Sequence, residues 1–384
     1  MVDMRQLAQT LRRVPEPALA RFFAQHRGHA RFLLSSSDVE ECGLQELLGL
    51  ADDETRRLWE ELTLGYADIE GRASLRAEIA GLYPGLEADD VLVCAGADEA
   101  ILLALTALLD PGDHAVVTWP GYAALHEVAQ ATGARVSLLR LDSASGWRLD
   151  PEELRRLLKP TTRLVIVNFP HNPTGALPDR ATFEAVVALT REVGATLLSD
   201  EVYRFLERPG ADRLPPAAAS MGGVSLGALS KTLGLAGLRV GWLATRNRAL
   251  LARAARLKHS TSGCGSAPSE ILALIALRAR ERLLGRSRAR LEANLALLDA
   301  FFESRPELFE WTPPRGGSVA FPRLRASLPV EEFAEALVRE EGVLVVPGSV
   351  YGDDENRFRI GFGRACVPSA LTALGRFVDG DQRW

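Results

Sequence analysis

Lysine is nearly missing from this chain. Of 45 basic residues only three are lysines, Lys159, Lys231 and Lys258, so positive charge is delivered almost wholly by arginine. Arginine stays charged and cannot serve as a nucleophilic amine near neutral pH, which leaves three candidates for any amine chemistry. Cysteine is equally sparse. Cys42, Cys94, Cys264 and Cys366 are scattered, with no Cys-x-x-Cys pair, which excludes a disulfide framework and fits a reduced, cytoplasmic protein. The six histidines form no His-Glu-x-x-His pair, so no metal site is expected. No apolar run reaches membrane-spanning length, and the opening stretch MVDMRQLAQTLRRVPEPALARFF lacks the continuous apolar core of a signal peptide. A net charge of −5 gives no electrostatic case for nucleic acid or an anionic membrane surface.

What is present is ordinary for a globular protein: 47% apolar and 25% charged residues over 384 positions, a length that predicts two domains. Short apolar runs alternate with helix-like segments between about residues 90 and 245. The runs predict strands at Val91–Ala95, His114–Thr118, Arg135–Leu139, Arg163–Asn168, Ala195–Ser199, Val224–Leu229 and Arg239–Ala244. Helical spacing separates several of them, as at Glu99–Leu109, Gly121–Thr132 and Asp179–Val193. This alternation predicts an α/β fold, with a mostly parallel sheet flanked by helices on both faces. From Ser269 to about Ser304 the chain is Arg- and Leu-rich and helical, and short strands follow near Ser318–Pro322, Val343–Val346 and Phe358–Phe362. The expected division is an N-terminal segment 1–45 packing with the smaller part, a large domain 46–265, and a small α+β domain 266–384.

Ligands in open α/β sheets sit beyond the carboxyl ends of the strands, and there the polar segments of this chain fall. Gly96-Ala97-Asp98 opens a helix after the first run, and Pro120-Gly121-Tyr122 follows the second. Asn168-Phe-Pro-His-Asn-Pro-Thr-Gly175, Asp200-Glu-Val-Tyr203 and Ser230-Lys231 follow three others. Each has a plain structural explanation as a turn, a cap or a packed ring. Their joint position beside an isolated lysine is what those explanations leave over. Chemically the set fits pyridoxal phosphate, which needs a lysine for its Schiff base, an acid at its pyridine nitrogen, an aromatic face and a phosphate cradle.

The motifs NFPHNPTG, SDEVY and SKTLGLAGLRVGW, in this order, resemble the fold-type I pyridoxal-phosphate enzymes of the class I/II aminotransferase family. The resemblance runs from about Tyr66 to Arg359. It implies that Lys231 carries the cofactor and moves the proton at the substrate Cα, and that Asp200 pairs with the ring nitrogen. Asn172 and Tyr203 would contact the phenolate oxygen and Tyr122 the ring face. Gly96, Ala97, Asp98, Ser230 and Arg239 would hold the phosphate, and Arg359 the α-carboxylate of an amino-acid substrate. Tyr66 would reach the phosphate of a neighbouring subunit, which implies a homodimer with shared active sites.

Two departures stand out. Ala228 lies three residues before the lysine, where the family commonly has Ser or Thr, so Ser230 or Thr232 would have to compensate. Over the substrate side, Phe32-Leu-Leu-Ser-Ser-Ser-Asp-Val-Glu-Glu-Cys-Gly43 resembles the capreomycidine synthase branch, whose enzymes act on 3-hydroxyarginine. In it Ser37, Asp38, Glu40 and Glu41 would receive the substrate, the acids suiting a guanidinium. Three readings therefore stand: a cyclase on a hydroxylated arginine, an ordinary aminotransferase, and a non-catalytic ligand-sensing module of the same fold.

Overall fold

The seven apolar runs between residues 91 and 244 build one sheet in this computed structural model, which describes residues 4–380. Its strands are β1 (Val91–Cys94), β2 (His114–Trp119), β3 (Arg135–Arg140), β4 (Thr162–Asn168), β5 (Thr196–Asp200), β6 (Val224–Ala228) and β7 (Gly241–Ala244). Their order across the sheet is β1-β7-β6-β5-β4-β2-β3. The pairs β2–β3, β2–β4, β4–β5 and β5–β6 are parallel, and only β7 runs against its neighbours β6 and β1.

Side-chain alternation along the strands splits the apolar residues between two cores. Ala115, Val117, Leu164, Ile166 and Leu198 face one core; Val116, Val165, Val167 and Leu197 face the other. Helix Ala97–Leu108 closes the first face, and helices Pro151–Leu157 and Arg180–Glu192 the second. Because both faces are covered, β1 and β6 are buried at every position, whereas the edge strand β3 buries only Leu139.

The parallel strands and β1 all end on one edge. The reversed β7 starts there, with Gly241 opposite both Ala228 and Cys94. The expected strand from Arg239 is two residues too long. Arg239 takes φ +52, a left-handed conformation that no strand accommodates, so the ladder begins at Gly241.

Beyond residue 266, helix Ala267–Arg278 packs against helices Asp53–Glu60 and Ala73–Ala80, while Arg280–Glu303, Val330–Glu341 and Val367–Gly380 accompany an antiparallel sheet of Val346–Pro347, Phe358–Gly361 and Val319–Ala320. The N-terminal segment divides. Helix Met4–Arg13 lies on the large sheet's side, where Gln6 Nε2 donates to the Leu109 carbonyl at 2.6 Å. Only the later part meets the small sheet: Phe32 bridges to Val343, and Gly361 N–H donates to the Leu34 carbonyl. Contacts of this segment with residues beyond 266 run from Arg31, whose N–H donates to the Gly342 carbonyl, to Glu41, whose carboxylate faces Arg364, while the Cys42 N–H turns to the Gly234 carbonyl.

Candidate active site

A cavity of about 400 Å³ opens where the strand ends face the N-terminal loop and the small sheet. Ala97, Asp98, Tyr122, Asn172, Asp200, Tyr203, Ser230, Lys231, Arg239, Arg359, Ser37, Asp38 and Glu41 all line it. These residues span more than three hundred positions of sequence, and the sheet edge gathers most of them.

Lys231 is the one lysine at the cavity. Lys159 is exposed far from it, and the buried Lys258 donates its Nζ to the Ile69 carbonyl. Lys231 sits on the single turn Leu229–Thr232 that follows β6. Burial, aided by the charge of Arg359, pushes its amine below the ordinary lysine value, against the pull of Asp38, Asp98 and Asp200. Its Nζ donates to Ser37 Oγ at 2.8 Å.

Asp200 ends β5, nearly fully buried. Burial drives its carboxyl up to about 7, offset in part by the Val202 N–H that donates to Oδ1 at 3.1 Å. A carboxylate buried with so little compensation calls for a cationic or N–H partner inside the cavity. A protonated pyridine nitrogen is such a partner.

The helix start beside β1 has its own geometry. Gly96 takes φ +91, and a Cβ there would lie 2.4 Å from Arg239 Nη2, so only glycine lets the guanidinium close over the helix start. Helix Ala97–Leu108 has no side-chain cap, which leaves first-turn N–H groups open to an anion. Ser230 lines the cavity and Thr232 does not, so Ser230 is the hydroxyl nearer to replacing the one absent at Ala228. Asp98 accepts the Tyr122 hydroxyl at 2.7 Å and faces Arg239 Nη2 at 3.9 Å. That carboxylate thus orients the tyrosine and the arginine. Gly96→Ala is expected to weaken pyridoxal-phosphate affinity by about ten- to a hundredfold, as read by fluorescence titration of the cofactor-free protein. An unchanged affinity would mean that Arg239 does not need this approach.

At the opposite wall Arg359 is buried, and no carboxylate pairs with it among the described residues. Its Nη2 donates to the Ser35 carbonyl at 2.5 Å and Nη1 to Asn172 Oδ1 at 3.2 Å, while Nε has no partner. An unpaired buried guanidinium facing a cavity is a carboxylate receptor. Tyr203 donates its hydroxyl to the Ser37 carbonyl at 2.9 Å, and burial raises its phenol so that it remains a donor.

The acids of the N-terminal loop separate. Asp38 and Glu41 line the cavity, but Glu40 is turned away, accepting the Ala365 N–H at 2.5 Å and facing Arg290 at 3.6 Å. Glu40 was expected at the substrate. The Ala365 N–H and Arg290 hold its carboxylate outside the cavity lining instead. Asp38 and Glu41 grip one guanidinium, Arg364, at 2.9 and 2.8 Å. Two carboxylates thus share one resident arginine. Tyr66 does not line the cavity and is fully exposed, near the equally exposed Leu64.

Sequence reasoning missed Arg364, Asn168, Ser35, Ser36 and the rim residues Leu19, Phe23 and Arg27. Asn168 had a signal, since it opens NFPHNPTG; its Nδ2 donates to the Asp200 carbonyl at 3.0 Å and its Oδ1 accepts the Asn172 N–H at 2.8 Å. Arg364 had none, being one arginine among many until Asp38 is found beside it.

With this site in view, the class of protein is clear. The family model for "Aminotransferase class I and II" matches residues 50–373, and the chain belongs to that family; it is a pyridoxal-phosphate-dependent enzyme. Capreomycidine synthase of Streptomyces vinaceus is 32% identical over 351 residues, covering 91% of this chain and 90% of that protein. An arginine–pyruvate transaminase of Pseudomonas aeruginosa is 32% identical over 297 residues, 75% of each. The solved structure of a PLP-dependent cyclase, OrfR, superposes with a TM-score of 0.88 at 33% identity, covering 95% of this chain and 97% of the other.

Proposed function

We infer that the chain acts at Cα and Cβ of a guanidino amino acid, as a cyclase that expels the 3-hydroxyl of 3-hydroxyarginine and closes a ring through the guanidine, in antibiotic biosynthesis. The observation that carries this reading is the presence of two kinds of group in one cavity: the Arg359 guanidinium, which has no carboxylate partner among the described residues, and the Asp38–Arg364–Glu41 group, in which two carboxylates share one arginine. An α-carboxylate suits the first and a guanidinium the second. Similarity to a capreomycidine synthase, a PLP-dependent cyclase and an arginine transaminase supports the same substrate class.

When bound, the cofactor supplies an electron sink for the pair left as a proton departs from Cα. Lys231 takes that proton, and its lowered basicity leaves more of the amine unprotonated near neutral pH. Asp200 would hold the ring nitrogen protonated, and Asn172 and Tyr203 would steady the phenolate side. Tyr122 would lie on the ring, and the phosphate would rest on Gly96, Ala97, Asp98, Ser230 and Arg239. Arg359 fixes the α-carboxylate, and Asp38 with Glu41 folds the side chain back so that a guanidine nitrogen stands near Cβ. Lys231, on the side where the proton left, can return a proton to the departing hydroxyl.

In the second reading Lys231 would hold the Cα proton for transfer back without loss of a β-substituent, and the chain would be an aminotransferase; the arginine transaminase favours this. Incubation with 3-hydroxyarginine separates the two. A cyclic product lighter by one water is expected, whereas a keto acid with conversion of the cofactor to its pyridoxamine form would select the transaminase. No turnover of any guanidino amino acid would sink the cyclase reading.

The working unit would be a cytoplasmic homodimer, each protomer comprising a large part near residues 46–265 and a small part near 266–384. Exposed Tyr66 and Leu64 support a partner contact.

Asp200 also gives a pH prediction for the cofactor-free chain. Its folded carboxyl titrates near 7, above the ordinary 3.8, so between those values the folded state binds a proton that the unfolded state has lost. The unfolded chain binds fewer protons there, so this group's contribution to stability falls as pH rises from about 4 to about 7. Asp200→Asn should flatten that slope of Tm against pH, by the difference from wild type. Parallel profiles for the two proteins would place the titration elsewhere.

A further inference from the structure

Ser37 was read as a substrate contact, yet its nearest functional neighbour is Lys231. The Lys231 amine donates to Ser37 Oγ at 2.8 Å, the one side-chain hydrogen bond that the amine makes among the described residues. The serine's own carbonyl accepts two hydroxyls, from Tyr203 and from Ser318, each at 2.9 Å. Its neighbours are fixed by backbone contacts too close for a side chain. A Cβ on Gly361 would lie 1.6 Å from the Ser36 carbonyl oxygen, and one on Gly363 would lie 2.5 Å from that of Asp38. Farther along, the Gly363 carbonyl accepts the Glu40 N–H at 2.9 Å, and the Gly234 carbonyl accepts the Cys42 N–H at 3.2 Å. Gly234 lies three residues after Lys231, so the turn bearing the lysine and the loop bearing the serine are tied directly together.

We propose that Ser37 is the positioning residue of Lys231: its hydroxyl holds the free amine in one orientation toward the substrate while the amine carries a proton. The physical need is clear. A free lysine amine ends a four-carbon stem and has three rotatable donors, so without a partner it spreads over many rotamers. Proton transfer falls steeply when the heavy atoms leave hydrogen-bond reach. A hydroxyl is suited to the task because it accepts from the amine while favouring the charged form far less than a carboxylate such as Asp38, one residue on, would. The clamped backbone around Ser37 makes the position of that hydroxyl a property of the fold. The role is the same in a cyclase and in a transaminase, since both need the amine at Cα.

The test compares wild type, Ser37→Ala and Ser37→Thr as holoenzymes. The rate at which the Cα proton exchanges with D2O is followed by NMR for L-arginine, L-alanine and L-glutamate, using for each comparison the amino acid that wild type exchanges fastest. Which amino acid that is bears on the guanidino reading; the ratio of variant to wild type bears only on Ser37. Ser37→Ala is expected to slow exchange about ten- to a hundredfold at saturation with KM changed less than about threefold, and Ser37→Thr to retain exchange within about threefold. A second readout needs no substrate. In cofactor-free protein, acetic anhydride labelling of Lys231 against pH, read by mass spectrometry, should show its midpoint at lower pH in Ser37→Ala. An acceptor that favours the charged amine has then been removed, with Asp38, Asp98, Asp200 and Arg359 still facing it. Wild-type exchange and labelling in Ser37→Ala would overturn the proposal. So would a threonine variant as impaired as the alanine one, since the loop and not the hydroxyl would then matter.

Discussion

Replacement of Lys231 by alanine is expected to cost at least about a thousandfold in turnover and to abolish covalent retention of the cofactor. The expectation rests on exclusion as much as on geometry. Of the three lysines, Lys159 is exposed away from the cavity, and Lys258 is committed to the Ile69 carbonyl in a buried setting. Lys231 alone of the three lines the cavity, part-buried and with its amine pushed below the ordinary lysine value. Borohydride reduction of the holoenzyme followed by peptide mass spectrometry should find the cofactor on Lys231 alone, and the alanine variant should lose the label. Label on Lys159 or Lys258 would overturn the assignment. The fold should survive the change, because the lysine makes one side-chain hydrogen bond and its removal relieves a buried amine.

The second large effect is expected at Arg359. Arg359→Met should lower kcat/KM for the amino acid by about a hundred- to a thousandfold, consistent with the few kcal/mol that a desolvated carboxylate–guanidinium pair is worth. Arg359→Lys should recover only part of this, since one ammonium cannot reproduce a fork held by Ser35 and Asn172. Steady-state kinetics alongside cofactor titration checks both. A loss confined to cofactor binding, with amino-acid KM unchanged, would assign Arg359 a different ligand. The methionine variant should not destabilise the protein greatly, because it removes a buried charge that has no carboxylate partner among the described residues.

The loop from Ser35 to Cys42 is where sequence and structure diverged most. Three acids were expected to face a substrate guanidinium. Two line the cavity, and a resident arginine already binds both. Arg364 follows the small-domain strand Phe358–Gly361 by a few residues, while Asp38 and Glu41 belong to the first tenth or so of the chain. No local pattern links them, and their encounter depends on the close backbone approach at Gly361 and Gly363. The consequence is chemical: of the three expected acids, two share a resident guanidinium and the third lies outside the cavity lining.

Much of the fold was legible beforehand because buried parallel strands are written as short apolar runs and their helices as three- and four-residue spacing. The identity of the cofactor was legible for a related reason. Most of the groups proposed to hold it closely follow a strand, and those strands end on one edge of the sheet. Lys231, Asp200, Asn172 and Tyr203 could thus be picked out one strand end at a time.

Other features belong to the tertiary structure alone. Arg239 precedes its strand rather than following it, and reaches the start of helix Ala97–Leu108 because β7 runs antiparallel and starts where the others stop. Strand direction is set by pairing with β6 and β1, which no run of residues 239–244 encodes. The partnership of Ser37 with Lys231 spans 194 positions and exists because Gly234, Gly361 and Gly363 let three backbones touch. By itself the sequence determined which chemistry the protein carries, since that needs particular residue types next to particular strands. How the substrate end is charged, and what holds the lysine, was decided by long-range packing, where contacts arise between segments that have no local reason to meet.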